Sequence, residues 1–280
     1  MMPPMTEPTL DQTYAPTPVP PLPPLGPRPA SAAAVGHPEP ILLLKDVVAG
    51  YGQMMILKGT TASINRGAIT TVIGPNGAGK STVFKTVFGL LAVKSGSITF
   101  AGQEIHNKTP RDLLALGITY VPQGRNIFPE LSVLHNLELG GISAPSSVNM
   151  KERIEVVLER FPMLREKAHM QAMTLSGGQQ KTLEIARALL LDPKMMLIDE
   201  PSIGLSPLMV KDLFAVLHEL RAKGVTILMV EQNARSALAM SDYGLVLVQG
   251  ATTMERPAAA LLADPAVGQM FLGIKHRGPI

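Results

Sequence analysis

The sequence predicts an α/β fold built around a mainly parallel sheet, and three observations lead to this prediction. A short β-branched apolar run, residues 69–73, is followed by a glycine-rich segment and then by apolar residues at helical spacing. A second apolar run, 195–198, is followed by the adjacent carboxylates Asp199 and Glu200, and a third, 225–230, is followed by polar residues. Continuous apolar runs of this length are typical of strands that are buried on both faces of a parallel sheet.

The other elements follow from local patterns. Strands are predicted at residues 42–48, 62–64, 69–73, 97–100, 118–121, 195–200, 225–230 and 245–248. Thr109 and Pro110 are typical of a helix start, and that helix is expected to end near Gly117. From about 132 to 173 the apolar residues recur at helical spacing, with charged residues mostly on the opposite face. Ser206 is expected to cap a further helix, whose inward face is Leu213, Val216, Leu217 and Leu220.

The glycine-rich segment has the eight-position pattern of a phosphate-binding loop between a strand and a helix. In such a loop the backbone N–H groups converge on a phosphate, Lys80 reaches the β- and γ-phosphates, and the Ser81 hydroxyl binds Mg²⁺. An ordinary glycine-rich turn is the alternative, and the flanking strand and helix argue against it. The predicted nucleotide-binding residues here are Gly74, Pro75, Asn76, Gly77, Ala78, Gly79, Lys80, Ser81 and Thr82.

The two carboxylates that follow the apolar run 195–198 are the next candidates. In proteins with a phosphate-binding loop, an aspartate at this strand end holds Mg²⁺, which suits Asp199. Glu200 would then lie near the γ-phosphate and orient or deprotonate the attacking water. The alternative is a solvated strand end, which the phosphate-binding loop in the same chain makes less attractive.

A helix start at Ser176 carries the second unusual feature. Ser176 and Gln179 have the spacing of a capping box, and a helix to about Leu191 is expected. Capping alone leaves Gly177 and Gly178 unexplained, because each lowers helix propensity by roughly 1 kcal/mol. A bare, positively polarised helix end that presses against a phosphate does explain both glycines.

With these motifs in order, the chain resembles the ATP-binding subunits of ABC transporters over about residues 41–274. Residues 175–179 are similar to the family's signature motif, residues 199–200 to the end of its Walker B strand, and residues 202–206 to its D-loop. Gln123 resembles the Q-loop glutamine, and Tyr51 the aromatic residue that stacks on adenine. The resemblance implies a P-loop NTPase core with an antiparallel β subdomain and a helical subdomain at about 132–173.

The resemblance also implies how the site works. ATP would lie between the phosphate-binding loop of one subunit and Ser176, Gly177, Gly178 and Gln179 of the other, so hydrolysis would need a dimer. Gln123 would complete the Mg²⁺ and water shell, and residues 124–129 would touch integral-membrane permease subunits. Ile127 and Phe128 have core packing as their alternative. The resemblance further implies a second ABC ATPase subunit, either a related but different one or a second copy of this chain. It also implies an extracytoplasmic solute-binding protein that acts indirectly, and a peripheral place on the cytoplasmic face of the inner membrane.

One residue departs from the common family pattern. Most members have a histidine two residues after the strand 225–230, where it contacts the γ-phosphate, and this chain has Gln232. An amide donates a hydrogen bond but carries no proton or charge near neutral pH, so Glu200 is the expected base. The chain also resembles the second ATPase subunit of branched-chain amino-acid importers in residues 124–128, 230–233 and 270–273. Those subunits commonly have Glu at the place of Gln123.

Composition excludes several other classes of protein. Residues 1–40 hold 13 of the 25 prolines and are expected to form a disordered tail, and 275–280 a second short tail. No apolar stretch reaches the ~18 to 20 residues of a membrane span. The absence of cysteine excludes disulfides, and the formal charge of +3 is small for 280 residues, so no nucleic-acid partner is expected.

Alternatives from other classes remain at this point. A soluble ABC ATPase acting on DNA or ribosomes would carry long coiled coils or two ATPase units, and neither is present in the sequence. A P-loop GTPase or kinase gives no reason for residues 175–179. Within the transporters, a urea or amide importer is the alternative to an amino-acid importer.

Overall fold

A computed structural model of the chain describes residues 40–144 and 148–271. The predicted proline-rich tail, apart from Pro40, lies outside the described residues, and so do the C-terminal tail 275–280 and the last three residues of the predicted ATPase domain.

Ten strands lie within the described residues. They are β1 (Pro40–Tyr51), β2 (Met54–Asn65), β3 (Ile69–Ile73), β4 (Val93–Phe100), β5 (Gln103–Glu104), β6 (Ile118–Val121), β7 (Met195–Asp199), β8 (Thr226–Val230), β9 (Tyr243–Val248) and β10 (Ala251–Pro257). One antiparallel sheet has the order β2-β1-β4-β5, and a second sheet has the order β10-β9-β3-β8-β7-β6. All neighbours in the second sheet are parallel except the edge pair of β9 and β10.

The helices of the described residues follow the same chain order. They are α1 (Lys80–Val87), α2 (Pro110–Leu116), α3 (Val133–Gly140), α4 (Met150–Arg160), α5 (Pro162–Glu166), α6 (Gly177–Leu189), α7 (Pro207–Ala222), α8 (Ala234–Ala239), α9 (Ala258–Ala263) and α10 (Pro265–Phe271), with a 3-10 turn at Ala172–Thr174. None of these helices has the length and apolar content that crossing a membrane requires. The predicted α/β class, with its mainly parallel sheet and separate antiparallel sheet, is confirmed.

Strand order explains why distant residues meet. Parallel strands place their carboxyl ends at one edge, and ligands bind there in open α/β sheets. In this sheet β3, β8, β7 and β6 are neighbours, so the segments that follow them along the chain emerge side by side. Strands β3, β7 and β8 are buried at every position, as their continuous apolar runs predict.

Several predicted boundaries were wrong. Strand β2 begins at Met54 instead of Ala62, because it pairs with β1 along almost its whole length through several irregular positions. Strand β10 was not predicted at all. Apolar residues at helical spacing continue to Leu91 in the sequence, but α1 ends at Val87. Helix α6 ends at Leu189, close to the expected end at about Leu191.

The core has a continuous apolar centre beneath the helical region. Buried side chains of α3, α4 and α6 belong to the same cluster as one face of the parallel sheet, including Leu137, Ile154, Leu183, Met196 and Ile227. The antiparallel sheet packs with α1 in a second cluster on the other face of the parallel sheet. The helices between 132 and 173 are therefore joined to the parallel sheet through α6.

Candidate functional site

A cleft of about 480 Å³ opens at the carboxyl edge of the parallel sheet. Most of the predicted site residues line it, although they lie up to 181 positions apart in the sequence (232 − 51). The lining residues are Tyr51, Ile56, Asn76, Gly77, Gly79, Lys80, Ser81, Thr82, Gln123, Glu200, Ile203 and Gln232. The signature residues 176–179 do not line this cleft.

The phosphate-binding loop connects β3 to α1 in a conformation that two glycines permit. At Gly74 a Cβ would lie 2.1 Å from the carbonyl oxygen of Leu247, so no side chain fits. Gly79 caps α1 with a φ of 100°, in the region that favours glycine. The N-terminal end of α1 therefore faces the cleft with free N–H groups and a positive helix dipole, which attract an anion.

Lys80, the first residue of α1, lies inside the loop. Its Nζ donates to the carbonyl oxygens of Gly74 at 2.9 Å and Pro75 at 3.1 Å, and the residue is only 9% exposed. Burial lowers the pKa of Lys80, and the negative charges of Glu200 and Asp199 oppose that shift. The structure thus places a half-desolvated ammonium group between the loop and two carboxylates.

Asp199 ends β7 with a buried carboxylate, 1% exposed. Burial raises the pKa of this carboxyl, and the nearby Ser81 and Tyr120 hydroxyls act in the opposite direction. Its Oδ1 has no hydrogen-bond partner among the described residues. A buried carboxylate oxygen without a partner next to a serine hydroxyl fits a Mg²⁺ ion, which prefers oxygen ligands.

The described residues offer few oxygen ligands for a metal ion at this place. In the described part of the chain there is no group of three or more His, Asp or Glu side chains that could hold a metal ion. A Mg²⁺ ion usually keeps few protein ligands and binds substrate phosphates as well. The predicted metal ligands Ser81, Asp199 and Gln123 are therefore consistent with a site that a nucleotide completes.

Glu200 lies in a backbone conformation that is uncommon for a residue with a side chain. Its φ is 46°, and its N–H donates to the carbonyl oxygen of Val230 at 2.9 Å. Gln123, which follows β6 along the chain, donates from Nε2 to the Glu200 carboxylate at 2.9 Å. Such strain at a functional side chain persists only when surrounding contacts hold it, and here β8 and the loop after β6 both do so.

Glu231 is a site residue that the sequence analysis missed. Its carboxylate is 3% exposed and accepts hydrogen bonds from the Ser202 N–H at 2.9 Å and hydroxyl at 2.7 Å. Burial raises its pKa, and the bonds from Ser202 oppose the increase. Glu231 thereby fixes the loop that follows Glu200. Its place directly before Gln232 was the only signal in the sequence.

Gln232 follows β8 and lies in the cleft with an exposed side chain. Changing Gln232→His is expected to raise the single-turnover rate of ATP hydrolysis about fivefold, because a charged donor stabilises a phosphate by about 1 kcal/mol more than an amide. The measurement is rapid-quench hydrolysis under single-turnover conditions. Arg235→His, on the exposed side of α8, is the matched control. Equal rates for wild type and Gln232→His would rule out a weakening effect of the glutamine.

Tyr51 ends β1 at the rim of the cleft with 47% of its surface exposed. Lys85 of α1 donates to its hydroxyl at 3.3 Å, and the ammonium lies 5.8 Å from the ring centre. The ring is therefore held against α1 through Lys85, with enough free surface for a planar base. This geometry is compatible with the predicted stacking on adenine.

The signature segment forms the predicted capping box at the start of α6. The Gln179 N–H donates to Ser176 Oγ at 3.4 Å, and the Ser176 N–H donates to the Gln179 side chain at 3.1 Å. Ser176 is exposed. A Cβ on Gly177 would have only Leu205 near it, at 3.7 Å, which agrees with an open helix end.

Gly178 has a second reason to lack a side chain. A Cβ there would come within 2.9 to 3.2 Å of three side-chain atoms of Met209 in α7. The expectation that phosphate approach alone explains both glycines was therefore incomplete. Close packing of α6 on α7 accounts for Gly178, because a methyl group would have to displace Met209.

Comparison with known proteins identifies the family of this chain. The family model described as ABC transporter matches residues 57–203. The branched-chain amino acid transport ATP-binding protein BraG of Pseudomonas aeruginosa is 40% identical over 80% of this chain and 95% of its own length. LivF of Archaeoglobus fulgidus, a probable branched-chain amino acid transport ATP-binding protein, is 38% identical over 81% of this chain and 96% of its own length.

Solved structures share the fold. A nucleotide-free ATP-binding cassette from an ABC transporter has a TM-score of 0.76 and 33% identity, and the match covers 85% of this chain and all of that one. An ATP-binding cassette in its ADP conformation has the same TM-score at 34% identity, over 84% and 99% of the two chains. The chain therefore belongs to the ABC transporter family, as one of its ATP-binding and ATP-hydrolysing proteins.

Proposed function

We propose that the chain powers an importer that takes up branched-chain or related amino acids through separate membrane permease subunits. One observation supports the use of ATP: a single cleft is lined by Lys80, Glu200, Gln123 and Gln232. The buried carboxylate of Asp199 lies beside it. The solute class is supported by relatives whose names specify branched-chain amino acid transport.

ATP would bind with its adenine against Tyr51 and its phosphates on the loop 74–82. Lys80 would exchange its two carbonyl contacts for the β- and γ-phosphates, where a positive charge is stabilised more strongly than by neutral oxygens. Mg²⁺, held by Ser81, Asp199 and Gln123, would neutralise part of the charge on the same phosphates.

Hydrolysis would use Glu200 as the general base. Its carboxylate takes a proton from water while the water oxygen bonds to the γ-phosphorus and the bond to the β-phosphate oxygen breaks, giving ADP and phosphate. Gln123 would hold the carboxylate and the water in line, and Gln232 would donate to the γ-phosphate. No other carboxylate lines the cleft among the described residues.

The chain would act as a dimer with a second ABC ATPase subunit. Ser176 and Gly177 are accessible but lie outside the cleft that holds Lys80, so a nucleotide there needs a signature segment from another subunit. ATP that bridges both surfaces binds the closed dimer better than the open one, which is the differential affinity that drives such a shift. To change the ratio of closed to open dimer from 1:99 to 99:1, ATP must bind the closed dimer about 5.5 kcal/mol more tightly than the open one.

An exposed apolar patch supports the peripheral attachment to a permease. It is formed where the segment after Gln123 pairs with the segment before the signature: the Met173 N–H donates to the Pro129 carbonyl at 2.9 Å. Its members and their exposed fractions are Phe128 at 46%, Leu131 at 36%, Met170 at 44% and Met173 at 57%. Ile127, also predicted to face the permease, instead packs against the main core cluster.

Co-purification tests the permease part of the proposal. A tagged full-length chain, expressed in its native cells and extracted in mild detergent, is expected to bring down a multi-span membrane protein. Phe128→Ser together with Met173→Ser should reduce that recovery at least about tenfold, since two apolar side chains leave the interface. Leu90→Ser removes an equally exposed apolar side chain elsewhere and is the control. Recovery of nucleic acid or ribosomes without a permease would contradict the proposal.

Uptake measurements test the solute. In cells without the chain, uptake of labelled leucine is expected to fall and to be restored by the wild-type chain but not by Lys80→Ala. If urea uptake falls and leucine uptake does not, the urea or amide alternative replaces the amino-acid proposal. ATP hydrolysis itself is measured separately, on the purified complex.

A further inference from the structure

The loop after Gln123 is held by side chains of α6. The Asn126 N–H donates to Glu184 Oε1 at 2.6 Å, and Lys181 Nζ donates to the Gly124 carbonyl at 3.1 Å. Arg187 Nη1 donates to the Asn126 carbonyl at 2.5 Å. All three partners in the loop are backbone groups, so the contacts fix the path of the chain itself.

Lys181 and Glu184 also form a buried ion pair. Their charged atoms are 2.5 Å apart and both residues are 5% exposed. A buried pair is costly to desolvate unless further hydrogen bonds satisfy its charged groups. Here each partner gains one such bond: Lys181 donates to the Gly124 carbonyl, and Glu184 accepts from the Asn126 N–H. The ion pair therefore depends on the loop for its remaining hydrogen bonds. Each charge also has a matching partner, because the Lys181 ammonium faces a carbonyl and the Glu184 carboxylate faces an N–H.

Arg187 extends the same contact surface by one turn. The residues 181, 184 and 187 recur at intervals of three, which places them along one side of the helix. Burial lowers the pKa of Arg187, and the charge of Glu184 opposes this shift. The guanidinium carbon lies 5.3 Å from the centre of the Phe128 ring, which belongs to the exposed apolar patch.

These contacts connect two parts of the proposed nucleotide site: the loop next to Gln123 and the signature helix α6. The loop carries Gln123, whose amide holds the Glu200 carboxylate at 2.9 Å. The helix begins at Ser176, the residue expected to meet the nucleotide of the other subunit. Only about one helical turn separates the capping box from Lys181, so the contacts to the loop lie close to the signature segment.

We propose that Lys181, Glu184 and Arg187 are positioning residues: from α6 they hold the loop 124–126 in the path that brings the Gln123 amide to the Glu200 carboxylate. Without these contacts the loop is less ordered, and Gln123 meets Glu200 less often. The inference rests on the proposed role of Gln123 and does not depend on the transported solute.

Glu184→Leu and Glu184→Gln form a matched pair of variants of the full-length chain. Glu184→Gln keeps an oxygen that accepts from Asn126, and Glu184→Leu removes it. We expect the Asn126 amide to exchange hydrogen about 10- to 100-fold faster in Glu184→Leu, with near wild-type exchange in Glu184→Gln. The kcat for ATP should fall by a similar factor in Glu184→Leu while the KM stays within about twofold.

Exchanging the charges of Lys181 and Glu184 distinguishes a role in positioning the loop from a role in stabilising the fold. Lys181→Glu combined with Glu184→Lys keeps an ion pair but presents a cation to the Asn126 N–H and a carboxylate to the Gly124 carbonyl. We expect kcat to stay at least about tenfold low and Asn126 to stay unprotected. Restored kcat and protection would overturn the proposal. Glu155→Gln, which breaks an exposed ion pair with Arg165 on other helices, is the control.

Arg187 keeps the proposal testable if the buried substitutions prevent folding. Arg187→Met removes the bond to the Asn126 carbonyl, whereas Arg187→Lys keeps a donor there. The expected result is lowered kcat and faster exchange over 124–126 in Arg187→Met, with partial recovery in Arg187→Lys. Unchanged exchange over 124–126 in every variant would refute the connection, even if the chain proves to serve a different solute.

Discussion

The Glu200→Gln variant is expected to hydrolyse ATP about 10² to 10⁴ times more slowly than the wild-type chain while it still binds ATP. This factor is the usual contribution of a general base. The substitution is conservative in structure, because the amide oxygen introduced there still accepts the hydrogen bond from Gln123. Steady-state phosphate release gives the rate, and equilibrium binding of a fluorescent ATP analogue gives the affinity.

If the Glu200→Gln variant still binds ATP, its state of association gives a second measurement. If ATP bridges two subunits and is not hydrolysed, the closed dimer should accumulate, and light scattering on a size-exclusion column would detect it. Glu104→Gln, an exposed carboxylate on β5, serves as the control and should match the wild type. Wild-type turnover in Glu200→Gln would remove Glu200 from the mechanism and leave the cleft without an obvious base.

Lys80→Ala is expected to impair nucleotide binding itself. A hydrogen bond between charged groups contributes about 1.5 to 3 kcal/mol, so loss of the ammonium should weaken ATP binding roughly 10- to 150-fold. Lys80 also holds the carbonyl oxygens of Gly74 and Pro75, and the loop that bends around it should lose order. Isothermal titration with ATP and Mg²⁺ measures the affinity.

A matched lysine distinguishes local from general charge effects. Lys151 is exposed on α4, far along the chain from the loop, and Lys151→Ala should leave ATP affinity unchanged. The wild-type melting temperature should rise on addition of ATP, and that of Lys80→Ala should rise much less, since stabilisation follows binding. Unaltered affinity in Lys80→Ala would argue against the phosphate-binding loop as the nucleotide site.

Local patterns predicted those parts of the fold whose causes are local. The helix cap at Thr109 and the capping box at Ser176 need only side chains three residues apart, and both occur where predicted. The fully buried strands β3, β7 and β8 have continuous apolar runs, which only burial on both faces explains. These elements were therefore readable without knowledge of their neighbours.

The missed strand β10 shows where local patterns fail. Its segment is polar at several positions because it is an edge strand that pairs only with β9 in its sheet. The turn before it uses Gln249 and Gly250, both with positive φ, instead of the usual Asn-Gly or Asp-Gly pair. A half-exposed edge strand after an uncommon turn gives little periodic signal.

The sequence by itself determined the chemistry of this protein: a phosphate-binding loop ending in Lys80 and Ser81, two carboxylates after a buried strand, and a capped, glycine-rich helix start. Each depends on residues that are neighbours along the chain. Only the tertiary structure decided which of them meet. Parallel strand order places Gln123 against Glu200, and helix packing places Lys181 and Glu184 on the loop 124–126, because contacts across 50 or more residues arise from chain topology and burial.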